Sequence, residues 1–560
     1  VEITSFAQPG GVSNPRGRVI EVLGRRDEFG VDVEIMIRKF HIPHRFPAEV
    51  LTEAADQAQF ISELEHEGRR DFRSLPIVTI DGETAKDFDD AVYVERVNKP
   101  SGARYLLQVH IADVAHYVRP GSALDAEARL RGTSVYFPDR AVPMLPLDLS
   151  NGICSLNPHV DRLTMSALME IDSTGRVVGY EITPGVIRSA ERMTYTAVRD
   201  VLAGDPAASE RYRSQIESFK LMEELAKVLN RARDQRGSID FDLPEPEIEF
   251  DEHGRMVGVT RSERNIAHRL IEEFMLAANE TVAGYLERKG VPSLYRIHET
   301  PDPKKVLEFE EIAATFGYSL GVELPAMRRL RVERQGERDR HPRFHERMDV
   351  DSGNFKITPH HYQRLTQRIA GKPEERILSY LMLRSLKQAQ YSEENVGHFA
   401  LASATYTHFT SPIRRYPDLI VHRILKTVLA NEGRAKPLDS QQLRALGLET
   451  SDAERRAAEA ERELMEWKKV AFMAERMGEE FDALLIGVTK HGLFVELVDL
   501  FVEGLVPLDS LQGDRYVYRE KLRAAVGERS KHAYRLGDRV KVRLDRIERS
   551  GNKLQFSMVK

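Results

Sequence analysis

A polar loop held between two short apolar segments is the feature that most constrains this chain. The stretch is TIDGETAKDFDDAVY (79–93), and its acids are Asp81, Asp87, Asp89 and Asp90. Carboxylates this close repel one another unless cations screen them, and hard divalent ions with oxygen ligands are the usual partners. Because the flanking apolar segments hold the loop, we interpret it as a catalytic site for one or two ions. A solvated acidic turn and a structural calcium loop are the alternatives.

Length and composition set broad bounds. A chain of 560 residues predicts three or four domains. The net charge of −6 neither supports nor excludes a nucleic-acid partner, because bulk charge is a poor guide to a local channel. The single Cys154 excludes an intramolecular disulfide framework and favours a reducing cytoplasm. No apolar run is long enough to span a membrane, and the start at Val1 suggests a fragment or a processed form.

The periodicity predicts one α+β body over residues 71–477, preceded by a helical linker at 46–70. Strands are expected at 76–80, 91–95 and 105–112. Helices are expected at 216–229, from Ile266 to about Arg288, and throughout the region after about Glu375.

Both ends of the chain have the short alternating pattern of β-barrels. At 1–45, the segments Arg18–Leu23 and Val31–Ile37 predict the end of a small barrel, with a plain connecting arm as the alternative. Residues 478–560 predict a five-stranded OB barrel. There, Phe494 could stack on bases and Lys490 could contact phosphates, although a core role for such an aromatic ring is an equal alternative.

The acidic loop resembles the D-x5-D-x-D-D signature of the ribonuclease II / ribonuclease R (RNB) family of processive exoribonucleases. The resemblance continues, in the order of the family, through VHIADVAHYV (109–118), SVYFPDRAVPMLP (134–146), CSLNP (154–158), ERMTY (191–195), IEEFMLAAN (271–279) and TSPIRRYPDLIVHR (410–423). It implies an RNB catalytic domain flanked by a partial cold-shock-type OB domain and a C-terminal S-one-type OB domain. Several phrases are closer to the ribonuclease R branch.

The resemblance also implies a catalytic centre. Asp81 and Asp90 would bind a first Mg²⁺, and Asp87 and Asp89 would complete the site or hold a second ion, with Mn²⁺ as a substitute. We expect Asp89 to be the least replaceable of the four. Arg414 would contact the scissile phosphate, since a guanidinium matches phosphate oxygens and neutralises developing charge. Its neighbour Arg415 is the competing candidate and a further RNA contact.

Four more residues match family positions that contact RNA. Tyr136 and Phe241 would clamp the terminal bases, and a core role is the alternative for each. Tyr195 and Glu272 would contact the ribose 2′-hydroxyl. Glu273 lies about 100° around the same helix from Glu272, so only one of the two can face the site. We choose Glu272.

His110, Asp113 and His116 also suggest a second metal site, but we expect structural roles for these residues, because isolated His and Asp usually satisfy backbone groups.

The resemblance therefore implies a cytoplasmic, monomeric 3′→5′ exoribonuclease that hydrolyses single-stranded RNA to nucleoside 5′-monophosphates with Mg²⁺. The alternatives are a catalytically silent RNA-binding member of the fold and a nuclease that also acts on DNA. A silent member has no reason to keep four aspartates and Arg414. Behaviour on structured RNA, like that of ribonuclease R or that of ribonuclease II, is left open.

Overall fold

The structure is a computed structural model of the chain. It describes residues 2–5, 16–25, 28–57, 60–241, 245–251, 255–262, 264–322, 327–333, 344–350, 356–431, 438–548 and 553–559.

The N-terminal segment forms a hairpin and a helix in its described part. Its elements are β1 (Glu2–Ser5), β2 (Arg16–Arg18) and α1 (Val31–Lys39). The prediction of a strand at Val31–Ile37 is wrong, since this stretch is helical. Val33, Met36 and Ile37 have the spacing of one helix face, and they are buried against the later helix 440–474. The other predicted strand is also wrong in its bounds, because β2 ends at Arg18 and residues 19–23 are irregular, with 19–22 exposed.

Within the described part of 46–70, the predicted helical linker, α2 (Ala48–Ala55) and a 3-10 turn at Glu63–His66 are helical and the remaining residues are not.

A seven-stranded sheet forms the centre of the body. The elements from here to its last strand are β3 (Arg70–Asp71), β4 (Val78–Asp81), β5 (Asp90–Arg96), β6 (Ala103–Ala112), α3 (Val114–Tyr117), α4 (Ala123–Arg131), β7 (Val135–Tyr136), β8 (Ala141–Val142), β9 (Asp161–Asp172), β10 (Val177–Arg188) and β11 (Glu191–Thr194). The sheet order is β11-β4-β5-β6-β9-β10-β3, and β7 and β8 form a separate hairpin. The predicted strands at 76–80, 91–95 and 105–112 are confirmed as β4, β5 and β6.

Two features of the sheet place the acidic loop. The strands β4 and β5 are antiparallel, with Val78 opposite Val92, so the two ends of the loop between them lie side by side. The strand β11 pairs with β4 in parallel, with Thr194 opposite Asp81. The residue after Thr194 therefore begins a helix directly beside the first acid of the loop.

Helices cover the sheet and enclose the main core. The elements from Tyr195 to the end of the body are α5 (Tyr195–Ala203), α6 (Pro206–Arg211), α7 (Ile216–Arg236), β12 (Glu245–Phe250), β13 (Met256–Ser262), α8 (Ile266–Arg288), β14 (Tyr295–Ile297), α9 (Pro303–Thr315), β15 (Met327–Glu333), β16 (Phe344–Val350), α10 (Pro359–Ile369), α11 (Glu375–Ser385), β17 (Gln390–Ser392), α12 (Tyr416–Asn431) and α13 (Ser440–Ala474). The long predicted helix Ile266–Arg288 is confirmed. Its start is capped by Asn265, whose Oδ1 accepts hydrogen bonds from the N–H groups of Ala267 and His268.

The C-terminal segment is a closed five-stranded barrel, as predicted. Its elements are β18 (Glu480–Val488), β19 (Gly492–Leu497), β20 (Glu503–Pro507), β21 (Tyr516–Arg519), β22 (Ala524–Gly527), β23 (Ala533–Arg535), β24 (Arg539–Glu548) and β25 (Lys553–Met558). The barrel order is β18-β19-β20-β25-β24, and β21–β23 form an inserted three-stranded sheet. Among the helices that the structure describes, none is long and apolar enough to cross a bilayer.

Candidate active site

The acidic loop joins β4 to β5 and brings Asp81 and Asp90 to one end of the sheet. An Oδ2 atom of each is buried and has no hydrogen-bond partner within the described part of the chain. Burial, followed by the charges of Asp90 and Asp87, raises the pKa of Asp81 to about 8. Burial also raises the pKa of Asp90 to about 6. Two buried carboxyls with raised pKa values and unpartnered oxygens indicate a site that a bound cation would stabilise.

Asp89 is the most enclosed of the four acids. Its side chain is only 4% exposed, and its Oδ1 accepts a hydrogen bond from the main-chain N–H of Ile413 at 2.8 Å. Its Oδ2 lies 3.5 Å from Nε of Arg414. Burial raises the pKa of Asp89 well above its ordinary value, and the charge of Arg414 opposes that shift. Asp89 therefore links the acidic loop to the turn that carries the arginine pair.

The two arginines of SPIRRY have different surroundings. The Arg414 side chain is 47% exposed, and its Nη2 donates to Ser411 Oγ at 3.0 Å. Arg415 turns inward, where its Nη2 donates to Oδ1 of the fully buried Asp418 at 2.8 Å. The guanidinium beside the acidic loop is thus that of Arg414, while Arg415 is already paired inside the protein.

The donor chemistry of the loop suits a hard divalent ion. Buried carboxylate oxygens without partners are the ligands that Mg²⁺ prefers, and their raised pKa values indicate that negative charge is uncompensated there. Within the described residues, however, no three Asp, Glu, His or Cys side chains are gathered closely enough to hold an ion together. The carboxylates fit a divalent ion by their chemistry, and Asp81 and Asp90 are the two residues that would hold it.

Tyr195 lies at the edge of this centre. It is the first residue of α5, and the charges of Asp90 and Asp81 contribute to the raised pKa of its phenol, after burial. The imidazole of His268 stacks on its ring, with centroids 3.9 Å apart and an interplanar angle of 22°. Burial lowers the pKa of His268, so that its imidazole is neutral near pH 7. His268 thereby fixes the plane of the phenol.

Glu272 lies one turn beyond His268 on α8, on the same face. Its carboxylate is 36% exposed and pairs with Nη2 of Arg264. Glu273, by contrast, is buried and accepts hydrogen bonds from Arg233 Nε and Asn230 Nδ2, both at 2.9 Å. Of the two glutamates, Glu272 is the accessible one, and Glu273 braces α7 against α8.

The two aromatic candidates for base contacts differ in exposure. Tyr136 is 45% exposed, and its hydroxyl donates to Oδ2 of Asp87 at 3.4 Å, so it stands over the acidic loop. Its main-chain N–H donates to Oε1 of Glu461 on α13 at 2.7 Å. Phe241 is half-buried and packs against a core cluster between α9, α10 and α11. Tyr136 is thus placed beside the acids, and Phe241 borders a core.

The cluster of His110, Asp113 and His116 has structural partners. His110 is buried and its Nδ1 lies 2.8 Å from Ser166 Oγ. Asp113 is buried between Arg69 and Lys426, at 2.7 and 2.8 Å. His116 Nε2 lies 2.9 Å from Oε1 of Glu65. These contacts tie the helical linker and α12 to the sheet, in agreement with the structural roles expected for the three residues.

On the C-terminal barrel, Phe494 and Lys490 lie at the β18–β19 turn region. Phe494 is 39% exposed and sits opposite Gly487 on β18, and Lys490 is also exposed. Phe481 on β18, by contrast, is partly buried and packs against the barrel core. The structure therefore separates an exposed aromatic from a core one.

Sequence reasoning missed three side chains that support the site: Arg264, His268 and Asp240. Arg264 Nη1 donates to Oδ1 of Asp240 at 2.9 Å and its Nη2 pairs with Glu272. A signal was available for His268, because it lies four residues before Glu272 on a predicted helix. None was available for Arg264 and Asp240, whose meeting depends on the path of the chain between α7 and α8.

The sheet, its acidic loop and its arginine turn, joined to an OB barrel, define the class of RNB-domain proteins. Residues 69–431 match the RNB domain, residues 1–47 the cold shock domain and residues 476–559 the S1 RNA binding domain. The chain belongs to the RNB family.

Among the curated relatives are ribonucleases R. The chain is 42% identical to ribonuclease R 1 of Lactococcus lactis, over 99% of this chain and 64% of that protein. It is also 42% identical to ribonuclease R of Aquifex aeolicus, over 100% of this chain and 74% of that protein. The chain thus spans about two thirds of the length of the relatives it matches.

Among solved structures, the chain is similar to RNase R of Mycoplasma genitalium in complex with ribose-methylated single-stranded RNA. The identity is 27% and the TM-score 0.84, covering 98% of this chain and 80% of that one.

Proposed function

We propose that the chain is a processive 3′→5′ exoribonuclease that hydrolyses single-stranded RNA to nucleoside 5′-monophosphates with the help of Mg²⁺. The observation that carries the proposal is the position of Arg414 against Asp89, in the same acidic loop as Asp81 and Asp90, each of which has a buried oxygen without a hydrogen-bond partner in the described part of the chain. A cation-binding carboxylate cluster and a half-exposed guanidinium are the two parts that phosphodiester hydrolysis needs on either side of a phosphate.

The aspartates and the arginine of the centre would have different roles. Asp81 and Asp90 would hold a divalent ion, with Asp87 and Asp89 completing the site or a second one. A bound ion would lower the pKa of a coordinated water and screen the charge of the phosphate. Arg414 would donate hydrogen bonds to the phosphate oxygens as negative charge grows there, and Asp89 holds its guanidinium in place.

The choice of RNA over DNA would rest on Tyr195 and Glu272. A 2′-hydroxyl both donates and accepts, so a phenol and a carboxylate are suitable partners for it. Tyr195 borders Asp81 and Asp90, and Glu272 lies one turn from the ring that stacks on Tyr195. This arrangement would present both groups to the sugar next to the scissile bond.

Base contacts would be made without regard to sequence. Tyr136 stands over Asp87 with nearly half of its surface free for stacking, which is worth about 1–3 kcal/mol per base. Phe241 would be its partner in the clamp, and Phe494 and Lys490 would contact the strand further upstream on the barrel. A strand held at so many places stays bound between cleavages, which is the physical basis of processivity.

The domain organisation that we propose is a partial cold-shock-type domain at 1–45, a linker at 46–70, the catalytic domain at 71–477 and the S-one-type domain at 478–560. The matches at 1–47, 69–431 and 476–559 support it. We further propose a monomer in a reducing cytoplasm, where the buried, unpaired Cys154 would stay a thiol.

The test uses a 5′-labelled RNA hairpin with a 3′ single-stranded tail, incubated with the protein and Mg²⁺. The same hairpin in DNA and the Asp89→Asn variant are the controls. Shortening of the RNA from its 3′ end, absent in both controls, is expected. Digestion through the stem would place the chain with ribonuclease R, and arrest before the stem with ribonuclease II. Tight RNA binding without cleavage would overturn the proposal in favour of a silent RNA-binding protein.

A further inference from the structure

A small network of ion pairs joins the two parts of the site that are predicted to read the terminal nucleotide. Arg264 donates through Nη1 to Oδ1 of Asp240 at 2.9 Å and through Nη2 to Oε2 of Glu272. Asp240 immediately precedes Phe241, the predicted base contact, and Glu272 is the predicted sugar contact. One guanidinium thus pairs with the predicted sugar contact and with the residue next to the predicted base contact.

A second guanidinium, that of Arg233, contacts the same network of ion pairs. Arg233 lies at the end of α7, pairs with the buried Glu273 at 2.9 Å and comes within 3.8 Å of Oδ2 of Asp240. Arg233 is nearly buried, whereas Arg264, Asp240 and Glu272 are about one-third exposed. The buried pair between Arg233 and Glu273 therefore fixes α7 against α8, and the less buried Arg264 lies nearer the surface beside Glu272.

The pairing also fixes the direction of the Glu272 carboxylate. A carboxylate oxygen can accept a hydrogen bond from a ribose 2′-hydroxyl, whereas deoxyribose has no hydroxyl there to donate one. The planar fork of Arg264 can hold Glu272 and Asp240 at once, which a lysine, as a point charge, cannot do.

We propose that Arg264 is a positioning residue that couples the base clamp to the check of the sugar. It keeps the Glu272 carboxylate oriented, and it ties Glu272 to the segment that carries Phe241. A strand whose last base is not clamped would then meet a poorly placed Glu272. This inference rests on the proposed exoribonuclease function and names the residue that sets its sugar selectivity.

The same two helices offer a matched control. Arg236 on α7 and Glu280 on α8 form a two-hydrogen-bond pair, with the nearer N···O contact at 2.7 Å. The pair lines a groove of about 920 Å³ beside the β9–β10 hairpin, and Glu273 lines this groove whereas Glu272 does not. Arg236→Ala removes an arginine and an ion pair between α7 and α8 without touching either reader.

The experiment measures kcat and KM with Mg²⁺ on an all-ribose oligonucleotide and on the same strand with one internal 2′-deoxyribose. We expect Arg264→Ala to reduce the ribose-to-deoxyribose selectivity, by up to about a hundredfold for a reader displaced by 1 Å. Arg264→Lys should recover part of it. In a Glu272→Ala background, Arg264→Ala should change selectivity no further, because it acts through Glu272.

The outcomes separate this inference from the proposed function. If the wild-type protein does not shorten RNA, the proposed function fails and selectivity cannot be defined. If the wild type is active and selective but Arg264→Ala behaves like Arg236→Ala, the function stands and the role of Arg264 is wrong. Thermal unfolding of each variant identifies a loss that comes from misfolding. If Arg264→Ala is misfolded, the folded Arg264→Lys variant decides the question. The inference would be overturned if Arg264→Lys had the selectivity of the wild type and if the effects of the Arg264 and Glu272 substitutions were additive.

Discussion

Arg414 Nε lies 3.5 Å from Oδ2 of Asp89, and the main-chain N–H of the residue before it, Ile413, donates to Oδ1 of the same carboxylate at 2.8 Å. One buried aspartate therefore holds both the backbone and the side chain of the turn that carries the arginine. The acidic loop and the turn that carries Arg414 come from distant parts of the sequence, and this carboxylate joins them.

The two neighbouring arginines should respond to substitution in opposite ways. Arg414→Ala is expected to lower kcat by about a hundredfold or more, with little change in the unfolding midpoint, because its side chain is half-exposed. Arg415→Ala leaves the fully buried Asp418 without its guanidinium and should cost about 3–5 kcal/mol of unfolding free energy. Single-turnover kinetics and urea unfolding of both variants check this. Equal loss of stability in both would contradict the assignment.

Asp89→Asn should lose activity and keep or gain stability. The amide preserves the Oδ1 acceptor for the Ile413 N–H, while it removes a charge whose burial raises the pKa of the carboxyl far above its ordinary range. We expect kcat to fall by at least about a hundredfold and the unfolding midpoint at pH 7.5 to stay level or rise. A variant that unfolds at a markedly lower temperature would show that Asp89 is needed for the fold itself.

The raised pKa values of Asp81 and Asp90 predict a pH dependence of stability in the absence of metal. Their carboxyls titrate near 3.8 ordinarily but at about 8 and about 6 in the folded protein. The folded state thus binds protons more tightly, and this contribution to stability is present below pH 4 and lost as the pH rises to 8. In EDTA, the wild type should lose more unfolding free energy than Asp81→Asn between these pH values.

Divalent ions should reverse that trend. Protons and a cation compete for the same oxygens, so Mg²⁺ should raise the unfolding midpoint more at pH 8 than at pH 6. Differential scanning fluorimetry with Mg²⁺ or EDTA at the two pH values tests this. Equal stabilisation of the wild type and an Asp81→Asn/Asp90→Asn double variant would place the ion elsewhere.

Much of this site was readable from sequence because its parts are local. The spacing of the four aspartates between two apolar strands predicted a held acidic loop. The resemblance named Arg414 with Arg415 as its competitor, and only the structure shows which of the two lies beside the loop. The strand at Val31–Ile37 was misread as β because a short apolar stretch fits either period, and only its burial against α13 decides for a helix. Arg264 and Asp240 could not be found, since long-range ion pairs leave no periodic signal.

The stack between His268 and Tyr195 is a further part that only the fold shows, and it can be tested separately. His268→Ala should raise KM for RNA and reduce ribose selectivity, because the phenol loses the ring that fixes its plane. His268→Phe keeps a flat ring and should stay close to the wild type, within about threefold if stacking is the whole role. A large defect in His268→Phe would instead show that an imidazole nitrogen is used, and buried Nδ1, which has no hydrogen-bond partner in the described part of the chain, is the candidate.

The segment that carries Tyr136 is joined to the arginine turn by its backbone. The N–H of Ser134 donates to the carbonyl of Arg414 at 2.9 Å, and Thr133 pairs with Arg415 as an isolated bridge. The ring that would meet the last base and the guanidinium that would meet the phosphate therefore share one rigid frame. An insertion between residues 133 and 136 would therefore displace the ring of Tyr136 and the guanidinium of Arg414 together. To change the length of the end product, substitutions that enlarge or shrink the Tyr136 side chain are the better choice.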